Sequence, residues 1–175
     1  MSNDAVPTPP RPFRAILLAG LLAGSFDLLF AFIYYGAHGA KPRRILQSIA
    51  GGLLGRATYD DGAASAVLGF FLQYVIASGA AAVYLGLGRL APRLARATPL
   101  AGPGFGAAIY FVMNVIVVPL SAWHSQPWPM RFEFMPFFAH LGIGLIIALV
   151  LRRVIGDDSR RRDQSGFDAR RLTSP

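Results

Sequence analysis

Four long apolar runs constrain the fold of this chain more than any other feature. They cover 15–35, 63–88, 104–122 and 134–152, and the acidic, basic or histidine residues within them are Asp27, His140 and the closing Arg152. A bilayer hydrocarbon core about 30 Å thick requires roughly 20 residues of apolar helix. Each run is close to that length. The sequence therefore predicts an all-α integral membrane protein with four transmembrane helices.

Composition limits what else the 175 residues can form. The spans take up much of the chain, so no segment between them is long enough to bury a separate soluble core. Cysteine is absent, which excludes disulfides and thiol chemistry. The formal net charge of +8 fits membrane orientation and contact with anionic lipid headgroups at the basic loops. We expect the lipid bilayer as a partner, and no nucleic acid.

The segments outside the spans have distinct patterns. Residues 1–14 are proline-rich and residues 154–175 are strongly charged, and both tails are expected to be disordered. The first run is longer than the apolar part of a cleaved signal, so we interpret it as a retained helix. Asp60 and Asp61 precede the second run, and we expect them to cap its helix, because aspartate accepts hydrogen bonds from free N–H groups at the positive helix end.

Residues 42–55, between the first two spans, are too short to cross a bilayer. Their apolar residues share one helical face, with Gln47 and Ser48 off that face. This pattern predicts a short amphipathic helix lying in the membrane interface. A re-entrant segment is the alternative, because Gly51 and Gly52 would permit a break.

Basic residues predict the orientation. Twelve of the 17 lysines and arginines lie in the two tails, in the 89–103 connection and at the end of the fourth span (Arg152 and Arg153), which share one side of a four-span protein. The positive-inside rule then places both termini in the cytoplasm of a cell whose inner membrane holds the chain. The basic cluster at 41–44 lies on the other side.

Each span carries one strongly polar side chain. At 1.5 Å per residue, all four are about 9–15 Å from the outer end of their span, which predicts a polar layer in the outer half of the membrane. Its members are Asp27, Gln73, Asn114 and His140. The layer either handles a proton or cation, or fixes the helices by hydrogen bonds.

The remaining candidates are packing and interface residues. Gly20 and Gly24 form a small-residue step that suits either packing within the chain or a homodimer seam. Four aromatic residues are predicted interface anchors: Tyr34, Tyr35, Trp123 and Trp128. No motif for catalysis or nucleotide binding is present, and we expect no metal, no cofactor and no enzymatic activity. A lipid-acting enzyme using His124, Asp60 or Asp61 is the least favoured reading.

Several stretches resemble a family of uncharacterised bacterial four-helix inner-membrane proteins, distantly of the YagU-like type. They are 20–27, 46–55, 100–121 with Asn114, and 138–142 leading to Arg152 and Arg153. In that family histidine tends to stand where this chain has Gln73, and this departure argues against a metal or two-histidine site here. The resemblance implies the four-helix architecture and no particular activity.

We therefore predict an inner-membrane homo-oligomer that moves a proton or small solute through the polar layer. The alternative is a structural or accessory subunit bound to another membrane protein.

Overall fold

The computed structural model describes residues 11–91, 98–122 and 132–173, with side chains over 12–91, 99–122 and 132–155. Every regular element in these ranges is helical. The helices are α1 (Arg11–Ala37), α2 (Pro42–Leu54), α3 (Gly62–Leu90), α4 (98–120, in three parts) and α5 (Phe134–Thr173). A 3₁₀ turn, Gly55–Tyr59, joins α2 to α3. Helix α4 comprises Thr98–Val112, a π-helical turn Met113–Val117 and Val118–Leu120.

Four of these helices are long and apolar enough to cross a membrane. The candidate spans are Pro12–Ala37, Gly62–Leu90, Pro99–Leu120 and Phe134–Ile155. They overlap the four predicted runs and confirm the predicted class, an all-α four-helix membrane protein. The amphipathic segment predicted at 42–55 is likewise a helix, α2.

Two helix ends extend past the predicted limits. Helix α1 begins at Arg11 rather than residue 15, so only residues 1–10 of the expected tail lie outside the described residues. Helix α5 continues to Thr173, through most of a tail that we expected to be disordered. The tail sequence favours this, because Asp157 and Asp158 precede arginines at i+4, a spacing that stabilises helices.

The helices form a bundle in which α5 packs against both α1 and α4, and α3 packs against both α1 and α2. We call the end of the bundle that carries α2 the α2 end. The main apolar cluster lies toward the opposite end and comprises Ala19, Ala23, Ala81, Tyr84, Leu85, Ile143, Ile147, Ala148, Leu151 and Ile155. Four alanines among its members let the backbones approach closely, as is usual between membrane helices.

Helix α2 is held against α3 by a backbone approach that only glycine permits. A Cβ at Gly69 would collide with the carbonyl oxygen of Leu46. Helix α2 is unbroken through Gly51 and Gly52, so the chain does not break at the point that the re-entrant alternative requires. At its end, the Gly52 carbonyl accepts a hydrogen bond from the Ala122 backbone N–H (3.0 Å), which ties α2 to the end of α4.

The π turn in α4 has a local cause. Pro119 has no N–H to donate to the carbonyl of Val115, and its ring would clash with that carbonyl in a regular α-helix. The Val118 N–H instead bonds to Met113, five residues back. This shift widens the helix by one residue immediately before the proline.

Candidate functional site

A hydrogen bond between two spans is the centre of the candidate site. The Gln73 Nε2 of α3 donates to the Asp27 Oδ2 of α1 at 2.7 Å. Gln73 is only 8% exposed. An acidic side chain inside an apolar span is costly, so a direct amide partner on the neighbouring helix is the expected compensation. The two polar residues predicted from separate spans therefore meet.

His140 of α5 lies at the same level. Phe26 of α1 lies against Gly142, two residues further along α5. The His140 Nδ1 lies 2.8 Å from the Pro136 carbonyl oxygen. Because a carbonyl only accepts, Nδ1 must carry the hydrogen, and Nε2 is the nitrogen that can gain or lose a proton.

Asn114 does not join this group. Its Nδ2 donates to the Tyr110 carbonyl of its own helix at 2.8 Å. The α4 residue that faces His140 is Gly106, where a Cβ would collide with the His140 carbonyl. At 1.5 Å per residue, Asn114 lies about 12 Å from that level, toward the α2 end. The structure thus brings two of the four predicted layer residues, Asp27 and Gln73, into contact and places His140 at their level. The missing member reflects α4 being shifted along its axis relative to the span limits we assumed.

Tyr110 and Glu133 belong beside the site and were not predicted. The Tyr110 ring is 5.3 Å from the His140 ring, centroid to centroid, and is almost fully buried. Its hydroxyl accepts a hydrogen bond from the Glu133 backbone N–H at 3.0 Å. Tyr110 was hidden within an apolar run. Glu133 had a usable signal, since it is an acidic residue immediately before a span and two helical turns from His140.

The glycine step of α1 faces α3 within the chain. A Cβ at Gly20 would collide with Ser78, and one at Gly24 would press on Tyr74 and Ala77. Within two residues of the central pair, the Ser25 and Tyr74 hydroxyls are 3.1 Å apart. Of the two alternatives, packing within the chain and a homodimer seam, this placement corresponds to packing within the chain, because α3 lies against both glycines.

The predicted interface residues are partly described. Tyr34 and Tyr35 lie in the last turns of α1, about 10–12 Å beyond Asp27. Trp123, Trp128 and His124 lie outside the described residues. Asp60 and Asp61 are exposed ahead of α3, and Asp61 occupies its N-cap position without a side-chain capping hydrogen bond. The capping contact that we predicted for this pair is therefore not made by Asp61.

A second polar cluster fixes α2, and the sequence pattern misplaced it. Gln47 is 1% exposed, although we predicted it to lie off the apolar face of this helix. Its Nε2 lies 2.8 Å from the Gly62 carbonyl and 3.1 Å from both the Thr58 carbonyl and the Ser65 Oγ. The Thr58 Oγ1 donates back to the Gln47 carbonyl at 2.9 Å. Helical periodicity identifies apolar faces. It does not identify a polar residue such as Gln47, which is buried because its hydrogen-bond partners are buried with it.

No protein-family model matches the chain, and no curated protein or solved structure matches it. Within the described residues, no three histidine, aspartate or glutamate side chains are grouped so as to hold a metal ion. Fold and site together define a multi-pass, four-helix membrane protein with an acid, an amide and an imidazole at one level of the bundle.

Proposed function

We propose that this chain is an inner-membrane protein that moves a proton or small solute through the level of Asp27, Gln73 and His140. The observation that carries the proposal is the 2.7 Å hydrogen bond from Gln73 to Asp27 between two apolar spans. Asparagine at position 27 would bind the same partner without the cost of a carboxylate. The acid is therefore better explained by a role that uses its charge.

The chemistry available at this level is reversible proton binding. Gln73 is neutral at all pH values and holds one oxygen of Asp27, which leaves the other oxygen to accept a proton or a cation. His140 is the only other group of the three that titrates, and its exchangeable nitrogen is Nε2. Asp27 and His140 come from α1 and α5, so movement between these helices would change how the two groups interact.

The orientation that accompanies this proposal follows the positive-inside rule. The two tails, the 89–103 connection and the pair Arg152 and Arg153 hold twelve of the 17 basic residues, so we place both termini in the cytoplasm and the α2 end outside. Lys41 and Arg43, exposed at the start of α2, would then contact anionic headgroups of the outer leaflet. The likeness to bacterial YagU-like proteins is consistent with this location and remains part of the proposal.

The test is proton flux into proteoliposomes under an imposed potential. We expect wild-type flux to be lost in Asp27→Asn, which keeps the side-chain size and an oxygen for Gln73. Ser25→Ala is the matched control, because it removes a polar contact between the same two helices without removing a titratable group. Equal flux in wild type and Asp27→Asn, with both folded, would refute the proposal.

An accessory subunit is the second candidate, and the exposure of α4 favours it. Only 11% of the residues in the most apolar stretch of α4 are buried, against 28–33% for the other spans. Its exposed face includes Phe111, Val115 and Ile116, which would contact lipid or another membrane helix. Cross-linking through Ile116→Cys to one protein at fixed stoichiometry, without flux from wild type, would support this candidate.

A further inference from the structure

One buried hydroxyl in the apolar half of the bundle has no hydrogen-bond partner. Tyr84 of α3 is 5% exposed and belongs to the main apolar cluster, and its hydroxyl makes no hydrogen bond within the part of the chain that the structure describes. The other buried polar side chains in that part all make hydrogen bonds; they are Gln47, Thr58, Ser65 and Gln73. An unpaired hydroxyl in a dry interior costs free energy, so Tyr84 requires an explanation.

Tyr84 lies on the same buried face of α3 as Gln73. Ala77 and Ala81 lie between them on that face, at helical intervals of three or four residues, and both alanines are buried. At 1.5 Å per residue, Tyr84 is about 16 Å from Gln73, toward the end of the bundle opposite α2. Among the described members of the main apolar cluster, only Tyr84 carries a polar side-chain group. It is therefore the polar group of the half that lies beyond the proposed site.

Phe105 of α4 connects Tyr84 with the level of the proposed site. The Phe105 and Tyr84 rings are 5.0 Å apart, centroid to centroid, and one ring presents its edge to the other. Phe105 immediately precedes Gly106, whose backbone approaches the His140 carbonyl so closely that a Cβ would collide with it. One aromatic contact therefore separates Tyr84 from the segment of α4 that packs against His140.

We infer that the Tyr84 hydroxyl favours the opening of this apolar half and is the side-chain group that water binds there. The inference rests on the proposed function, since a proton that reaches Asp27 must cross this half. Packing does not explain the residue, because phenylalanine would make the same ring contact with Phe105 without burying a hydroxyl. In the packed state the hydroxyl has lost its hydrogen bonds with water and gained none. Its hydration on opening therefore lowers the free energy of the open state relative to the packed state.

In the open state this hydroxyl passes a proton without keeping a charge. Its oxygen accepts a hydrogen bond from water on the Asp27 side, and its O–H donates to water on the other side. As a proton moves from the first water to the oxygen, the hydroxyl hydrogen moves to the second water, so the phenol is restored. Ala77 and Ala81 carry no polar side-chain group, so Tyr84 is the next partner for water on this face of α3 after Gln73.

The test is thiol labelling of the full-length chain in lipid nanodiscs, which leave both membrane faces accessible. The chain has no natural cysteine, and Ile147→Cys places a thiol at a fully buried position of the same cluster, with Leu151→Cys as a second such position. A water-soluble maleimide reaches either thiol only when this half opens, so the labelling rate reports the open population when opening is fast. We expect Tyr84→Phe to slow labelling about fivefold, because the packed state no longer buries an unpaired hydroxyl. Tyr74→Phe is the matched control: it is the same substitution in the same helix, but the Tyr74 hydroxyl has a partner, Ser25, at 3.1 Å.

The outcomes separate this inference from the proposed function. Labelling that is unchanged or faster in Tyr84→Phe overturns the inference, even if proton flux depends on Asp27. Equal slowing by Tyr84→Phe and Tyr74→Phe also overturns it, as does the absence of labelling at both buried thiols, because the apolar half then does not open to water. Slower labelling in Tyr84→Phe alone supports the inference, even if wild type moves no protons, in which case only the proposed function fails. Circular dichroism and gel filtration check that each variant is folded.

Discussion

Replacing Gln47 with leucine tests whether a buried polar cluster holds α2 on the bundle. The Gln47 side-chain nitrogen has three oxygen neighbours, at 2.8 Å (Gly62) and 3.1 Å (Thr58 and Ser65). Because an amide carries two hydrogens, the side chain makes two full hydrogen bonds, each worth about 1 kcal/mol net. Leucine has similar volume and removes both. We therefore expect α2 docking to weaken by about 2 kcal/mol, which is roughly a 30-fold larger undocked population.

The natural absence of cysteine makes the assay direct. A single Ile45→Cys places a thiol on the buried face of α2, where Ile45 is only 7% exposed. A water-soluble maleimide reacts with it only when α2 opens, so the labelling rate reports the open population when opening is fast. We expect about 30-fold faster labelling with Gln47→Leu. Ser48→Ala is the control, since its exposed hydroxyl bonds only to the Ile45 carbonyl in the same helix. A Gln47→Leu rate equal to this control would refute the argument.

Two further predictions concern packing, each with a matched pair of variants followed by unfolding in sodium dodecyl sulfate. Gly69→Ala should displace α2, because the new Cβ would collide with the Leu46 carbonyl. Gly79→Ala should be neutral or slightly stabilising, because nothing lies within 4 Å of its Cβ. Equal destabilisation by both variants would contradict the close approach of α2 and α3. Tyr84→Phe should stabilise the bundle by about 1 kcal/mol, because the buried Tyr84 hydroxyl has no hydrogen-bond partner in the described part of the chain. Tyr110→Phe should destabilise the bundle by about 1 kcal/mol, because this variant loses the hydrogen bond to Glu133. Destabilisation by Tyr84→Phe together with stabilisation by Tyr110→Phe would show that hydroxyl pairing does not determine these stabilities.

The sequence predicted the spans because the bilayer imposes a strong rule. A transmembrane helix needs roughly 20 apolar residues, and few other structures tolerate such runs. The same rule predicted that Asp27 and Gln73 face inward, since lipid-facing polar side chains are costly. That they meet each other was not predictable, because this depends on how α1 and α3 are rotated and shifted.

Relative helix shift explains the residue that does not join its predicted group. Asn114 was placed beside the others by counting from an assumed span end near residue 122. Gly106 and Gly144 instead set the alignment of α4 and α5 through close backbone approach, where any Cβ would collide. The axial alignment of two helices is therefore better predicted from small residues than from the assumed ends of the spans, because small residues lie where the two helices touch. The π turn before Pro119 adds a further change of rotation along α4.

The division of the bundle into two halves limits how the proposed site can work. The main apolar cluster, from Ala19 to Ile155, lies entirely beyond the level of Asp27 and His140. Tyr110 and Glu133 lie on the other side of that level, toward the α2 end. A solute that reaches Asp27 from the α2 end therefore meets a closely packed apolar half, in which Ala81, Ile147 and Leu151 are fully buried. Passage requires α1, α3 and α5 to separate there, and the alanines that allow close packing also leave few interlocking side chains to oppose it. Substituting Ala81 with leucine adds bulk to this packed half and should therefore reduce proton flux in proteoliposomes, and wild-type flux from the variant, folded by circular dichroism, would refute this argument.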